Sequence, residues 1–172
     1  MFLNNMDPSF WGKSAWQYLH TLTFNYPINP TKEDKIKYYN HFKSLGDMLP
    51  CPSCAESYKI YFKYIPISDY LNDIYGITFW LYIIHYIVNK KLSKETPSFL
   101  SVVKYYYPKK TSCPTKVVNL NEKCTAKPPA IDNSNIFLQF CLTGPAHSGR
   151  PYLALLFTFS VRLLLHESVF PI

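Results

Sequence analysis

Proline spacing sets the first constraint on this chain. Pro27, Pro30, Pro66, Pro97 and Pro108 punctuate the first 108 residues, which otherwise read as mostly helical. A proline inside a helix removes a hydrogen bond and collides with the preceding turn, so helices start or stop at such positions. "SFWGKSAWQYLHTLTFNY" carries Phe10, Trp16, Leu19, Leu22 and Phe24, mostly at helical spacing. Thr31, with Asp34 three residues on, has the form of an N-cap ahead of "KIKYYNHFKSLGDML", where Ile36, Tyr39, Phe42 and Leu45 make the expected buried stripe. A third helix is expected from within the cysteine pair at 51 and 54 to Pro66. A fourth is expected over 68–94 with a bend near Gly76, and a fifth in "PSFLSVVKYYY", opening on Pro97 and stopped by Pro108. Alternating β-branched strands are absent from this region. The expected class is all-α, a four-helix bundle plus a short fifth helix over residues 8–107.

Residues 108–172 differ in character and are expected to form a poorly structured extension. The run "PKKTSCPTKVVNLNEKCTAKPPAIDNSN" is rich in proline, asparagine and lysine; lysine then stops at Lys127, and both arginines, Arg150 and Arg162, lie beyond it. The apolar segment "YLALLFTFSVRLLL" at 152–165 is short for a membrane span and holds a charge. A membrane-surface contact by this tail is the weaker reading beside a terminus with no fold of its own.

The chain has 172 residues and a formal charge of +7, with lysines singly or in pairs such as Lys90–Lys91 and Lys109–Lys110. That pattern reads as a solvated surface rather than a nucleic-acid footprint. Fifteen tyrosines, twelve phenylalanines and three tryptophans stand against five glycines, which suits an aromatic core with satisfied polar tips, or walls around a planar ligand. The start "MFLNNMDPSFWG" lacks the charged and apolar regions of a secretory signal, so export is not expected.

Five cysteines stand at 51, 54, 113, 124 and 141, an odd number that does not suggest a stapled secreted scaffold. Cys51 and Cys54 sit in "LPCPSCAE" at the expected start of the third helix. There, unpaired N–H groups and the helix dipole stabilise a thiolate. Zinc uses the same spacing but needs four ligands, and Cys113 and Cys124 are ten residues apart rather than a second close pair. A thioredoxin-type site needs a strand ahead of the pair, where this chain has a helix. A dithiol on a helical bundle needs an electron acceptor. Trp16 and His20 share a face of the first helix; His85, Val88, Asn89 and Leu92 share one on the fourth, followed by Lys90, Lys91 and Lys94. Flat rings for stacking and cations for a pyrophosphate are what a flavin dinucleotide requires.

"WGKSAWQYLHTL", "LPCPSCAE" and "HYIVNKKLSK", in this order and at these separations, resemble the Erv/ALR-type FAD-linked sulfhydryl oxidases, most of all the compact members of large DNA viruses. The resemblance covers about residues 8–107. It implies a helical bundle holding FAD, usually as a homodimer, that oxidises protein dithiols and reduces molecular oxygen to hydrogen peroxide. It implies a cofactor site at Trp11, Gly12, Lys13, Trp16 and His20, and at Trp80, His85, Val88, Asn89, Leu92 and Lys94. Lys13 stands where relatives often have arginine, and Tyr86 where they usually have asparagine. Of the catalytic pair, Cys51 is implied to be the outer sulfur that takes the substrate's attack, and Cys54 the inner one facing the flavin. Cys113 and Cys124 are candidates for a shuttle disulfide; Cys141 has no assigned role. No metal is expected in the oxidase reading. The alternatives are a zinc-stabilised helical binding module and a degenerate bundle without catalysis. The Lys-, Asn-, Tyr- and Ile-rich body suits an AT-rich genome, so the expected location is the cytoplasm of an infected host cell, at a viral assembly site or in the virion, ahead of the mitochondrial intermembrane space.

Overall fold

The first helix, α1 (Pro8–Phe24), starts where local chemistry dictates: the Asp7 carboxylate accepts the Ser9 N–H at 2.8 Å and Pro8 fills the first helical position. This is a computed structural model, and it describes residues 5–110. Cys113, Cys124, Cys141 and the apolar segment 152–165 lie outside the described residues. The second helix, α2 (Lys32–Met48), opens on the expected cap, a reciprocal box in which Thr31 Oγ1 accepts the Asp34 N–H and Asp34 Oδ2 accepts the Thr31 N–H. α3 (Pro52–Tyr64) opens on Cys51 and ends ahead of Pro66. α4 (Ile74–Lys91) and α5 (Phe99–Tyr106) complete the set, and no strand occurs among the described residues.

Two boundaries differ from expectation. The fourth helix begins at Ile74, because Asp73 Oδ1 accepts the Gly76 N–H at 2.7 Å and so caps a new start. The residues ahead of it, Ile67–Tyr70, form a separate 3-10 turn. Gly76 is what lets that turn press against α4: a Cβ there would sit 2.5 Å from the Tyr70 carbonyl oxygen. The expected bend near Gly76 is thus a break before it. α5 begins at Phe99, where Ser98 Oγ accepts the Ser101 N–H, and Pro97 lies outside the helix.

α4 is the central element. Ile77, Trp80, Leu81 and Ile84 on it are 0% exposed and pack with Phe42 of α2 and Ile67 of the 3-10 turn in one core cluster. Burying each such side chain contributes about 1.5–3 kcal/mol. Trp80 sets its ring edges against Phe42 and Phe62 and donates Nε1–H to the Ile65 carbonyl at 2.9 Å. The tyrosine tips are satisfied as composition suggested: Tyr26 Oη donates to the Leu71 carbonyl and Tyr58 Oη to the Phe42 carbonyl. Two residues of the expected stripes are exposed instead, Phe10 at 77% and Ile36 at 51%. Both lie near the starts of their helices. The close approach of α2 to α3 comes at the opposite end of α2, where Gly46 faces Tyr58 and Lys59.

Candidate functional site: a disulfide and an aromatic histidine cluster

Cys51 and Cys54 form a disulfide at the N-terminal turn of α3. Cys51 is the N-cap, with extended backbone, and its sulfur accepts the Cys54 N–H at 3.3 Å. Ser53 Oγ lies 3.4 Å from the same sulfur. Pro52 at the first helical position has no N–H to leave unpaired, so the sequence C-P-S-C itself fits a helix start. The remaining free N–H groups of this turn, with the helix dipole, favour a thiolate whenever the disulfide is opened.

The two sulfur-bearing residues differ in exposure within the chain. Cys51, expected outermost, is 3% exposed, whereas Cys54 is half-buried. The Pro50 carbonyl, just ahead of Cys51, is bonded by the Met6 N–H at 2.8 Å.

The second constellation joins α1, α4 and α5. Trp16, His20 and Phe24 follow one another at four-residue spacing on α1 and so share a face. Trp16 stacks on His85 of α4 with ring centroids 3.9 Å apart and planes within 4°. His20 Nε2 lies 3.0 Å from His85 Nδ1, so one ring N–H donates to the other. Tyr106 of α5 stacks on the far side, 5.2 Å from the His20 ring and 5.3 Å from Phe24. His20 is 3% exposed, and its Nδ1 is a buried polar atom without a hydrogen-bond partner. Burial, and then the neighbouring His85, push the His20 pKa down to about 3. Burial, and then the Lys94 charge, push that of His85 down to about 4.

The other expected cofactor residues divide into groups. Asn89 is buried and Val88 half-buried on α4, while Leu92 ends the helix 53% exposed. Beyond Leu92 the chain turns in a Schellman motif: the Lys94 N–H reaches the Asn89 carbonyl at 2.8 Å and the Ser93 N–H the Lys90 carbonyl at 3.1 Å. This turn brings exposed Lys94 back over the helix end. On α1, Lys13 is exposed, and a Cβ at Gly12 would meet nothing within 4 Å. Trp11 donates Nε1–H to the Met6 carbonyl. Trp80 lies in the core contacts described above rather than in the histidine stack. Tyr86, the departure from the family pattern, is half-buried with Lys90 Nζ 5.5 Å from its ring centroid. Sequence reasoning did not single out Tyr106, although "KYYYP" just before Pro108 put aromatic rings at the end of a helix that must cover something. Lys91, named from the sequence among the cations at this helix end, donates Nζ–H to Ser57 Oγ at 2.8 Å and ties the end of α4 to α3 one turn past Cys54.

The Erv1 / Alr family model matches residues 13–108 of this chain. A probable FAD-linked sulfhydryl oxidase of Acanthamoeba polyphaga mimivirus is 35% identical over 112 residues, spanning 62% of this chain and 78% of that protein. The FAD-linked sulfhydryl oxidase ERV1 of Arabidopsis thaliana is 31% identical over 83 residues, of which this chain spans 42% of the relative's length. The crystal structure of the FAD binding domain of Erv1 from Saccharomyces cerevisiae superposes with a TM-score of 0.56 at 25% identity, over 59% of this chain and 95% of that one. A model that matches more than half of the chain, and agrees with the helical bundle and its disulfide, leads to one conclusion: the chain belongs to the Erv1 / Alr family.

Proposed function

We propose that this protein is an FAD-dependent sulfhydryl oxidase that forms disulfides in protein substrates. The observation that carries the reading is the Cys51–Cys54 disulfide at a helix N-terminus, in a chain of the Erv1 / Alr family. A substrate thiolate attacks one sulfur, makes a mixed disulfide and releases the other sulfur as a thiolate, which the N-terminal turn of α3 favours. The second substrate thiolate resolves the mixed disulfide. The substrate then carries a new disulfide, and Cys51 and Cys54 are left as a dithiol holding two electrons.

The residues present fit FAD. His20 Nδ1 is buried with an open hydrogen-bonding position beside the stacked Trp16 and His85, and the space over Gly12 is clear. Trp16, His20 and His85 would hold ring systems, with Val88 and Asn89 beside them; Lys94, and Lys13 on α1, would face phosphate charge. When bound, FAD supplies a two-electron acceptor that passes the pair to molecular oxygen and yields hydrogen peroxide. The two imidazoles, held neutral by burial, keep positive charge out of the stack and leave Lys94 as the cation there.

The zinc-stabilised module finds no support among the relatives, which are FAD-linked sulfhydryl oxidases. Among the described residues no group of three or more His, Cys, Asp or Glu is placed to hold a metal. The same reading makes the protein a homodimer; exposed Phe10 and Tyr18 on α1 and Ile36 on α2 support this as apolar surface open to a second copy. It also puts the protein in the cytoplasm of an infected host cell, with the mimivirus relative as support. No helix among the described residues is long and apolar enough to cross a membrane.

The test is the colour of the purified protein. A yellow preparation that bleaches with dithiothreitol and recovers in air, consuming oxygen, is the expected result. A colourless protein that neither takes up added FAD nor consumes oxygen with dithiothreitol defeats the reading. Sedimentation then reads the dimer, and fractionation of infected cells the location.

A further inference from the structure

Residues 5–7 lie ahead of α1 and are tied down at Met6 through both of its main-chain polar groups. The Met6 N–H donates to the Pro50 carbonyl at 2.8 Å, and the Met6 carbonyl accepts Trp11 Nε1–H at 3.1 Å. The chain it meets is extended on both sides of Pro50: Leu49 has φ −60° and ψ 129°, Cys51 φ −136° and ψ 110°. The Met6 N–H thus reaches this segment through a single main-chain hydrogen bond, at Pro50. Pro50 has no N–H, so its carbonyl is the one main-chain group it can offer a partner. The next residue is Cys51, 3% exposed. The Met6 side chain itself is 51% exposed and gives the contact little apolar anchorage. A segment held by two hydrogen bonds, with its side chain in water, belongs to the parts of a fold that open most readily.

Thiol–disulfide exchange needs access to the sulfur under attack. A covered Cys51 next to a weakly held main-chain contact meets that need if the contact gives way. We propose that residues 5–7 are a removable strap beside Cys51, and that the Met6 N–H occupies the Pro50 carbonyl that a cysteine-bearing substrate peptide takes during exchange. A peptide N–H then bonds to the Pro50 carbonyl in place of that of Met6. The peptide thiolate reaches Cys51 Sγ. A bond forms between the peptide sulfur and Cys51 Sγ, the Cys51–Cys54 bond breaks, and Cys54 leaves with the electron pair as a thiolate. This deepens the oxidase reading and rests on it. It assigns recognition to main-chain geometry beside the disulfide, and so fits substrates of varied sequence that present a cysteine on an unfolded or extended segment.

The experiment uses the full chain with its cofactor. Met6→Pro deletes the N–H that holds the strap, and Met6→Ala keeps it while removing the side chain. Under anaerobic conditions the Cys51–Cys54 disulfide is reduced by glutathione and by a short unstructured peptide dithiol, and the free thiols are counted by maleimide mass shift. Reduction three- to tenfold faster in Met6→Pro, with Met6→Ala at the wild-type rate, is the expected result. Equal or slower reduction in Met6→Pro overturns the strap. A second measurement does not depend on that variant folding: Cys54→Ser is trapped as a mixed disulfide between Cys51 and the peptide, and amide exchange at Met6 is followed. Loss of Met6 protection supports the proposal, and retained protection, or a peptide that couples to Cys54 alone in the reciprocal Cys51→Ser variant, overturns it. These rates are read without oxygen. Failure of the wild-type to consume oxygen with dithiothreitol therefore counts against the oxidase reading and leaves the strap to be decided by exchange.

Discussion

His20 and His85 meet across α1 and α4 with Nε2 and Nδ1 3.0 Å apart, and burial holds both rings neutral. In the unfolded chain these imidazoles titrate near 6.5. Between that value and about 4 the unfolded state binds more protons than the fold. Stability from this pair is therefore complete above pH 6.5 and is lost as pH falls towards 4. For His20 the loss by pH 5 is about 2 kcal/mol. Thermal midpoints across pH 4 to 8 should fall on the acid side, and a His20→Gln variant should flatten the slope. An unchanged slope would remove the pair from the explanation.

The Trp16–His85 stack, with centroids 3.9 Å apart, makes a clear demand on cofactor retention. Trp16→Ala removes one flat surface and should weaken FAD binding about two- to tenfold, from the roughly 0.5–1.5 kcal/mol of aromatic stacking. The flavin absorbance kept through gel filtration measures this. Trp16→Phe should restore most of it.

Gly76 has no room for a side chain. A Cβ would lie 2.5 Å from the Tyr70 carbonyl oxygen, and the crowded atom is backbone. Gly76→Ala should destabilise the protein by about 2 kcal/mol through a shift of the 3-10 turn or of α4. Urea unfolding reads the change. A neutral result would mean that Ile67–Tyr70 moves freely, against its buried Ile67 and Tyr70.

Ser93 holds φ 53°, the left-handed conformation that closes the Schellman turn of α4. A serine Cβ is disfavoured there and a glycine is not. Ser93→Gly should stabilise the fold by about 1 kcal/mol, visible as a higher thermal midpoint with the spectrum of the bound flavin unchanged.

Cys113 and Cys124 lie outside the described residues, yet the shuttle reading of them is testable. Changing both to serine should slow oxidation of a reduced protein substrate severalfold and leave turnover of dithiothreitol unchanged. Equal turnover of the protein substrate would make them idle thiols.

Helix existence followed from local rules. Thr31 and Asp34 announced α2, Pro66 ended α3, and the C-P-S-C run predicted a helix start bearing both sulfurs. Each depends on groups within a few residues, whose geometry the chain's own bonds enforce. The disulfide at 51 and 54 was likewise available locally, because one helical turn spans it. Burial was not available locally. Phe10 and Ile36 have the right spacing and are exposed, since what covers a helix face is another element.

Long-range placement also decided the chemistry around the disulfide. Periodicity put Trp16 with His20 and His85 with Asn89, each on its own helix. Only the packing of α1 on α4 set Trp16 flat against His85, and only α5 brought Tyr106 to the other side of His20. Next to buried Cys51, residue 6 bonds to residue 50, a pairing across more than forty residues that no spacing rule encodes. The sequence by itself determined the helices, their caps and the dithiol, all of them short-range matters of sterics and hydrogen bonding. The tertiary structure decided which rings stack, which imidazoles stay neutral and which sulfur is shielded, because stacking, desolvation and cover are properties of neighbours distant along the chain.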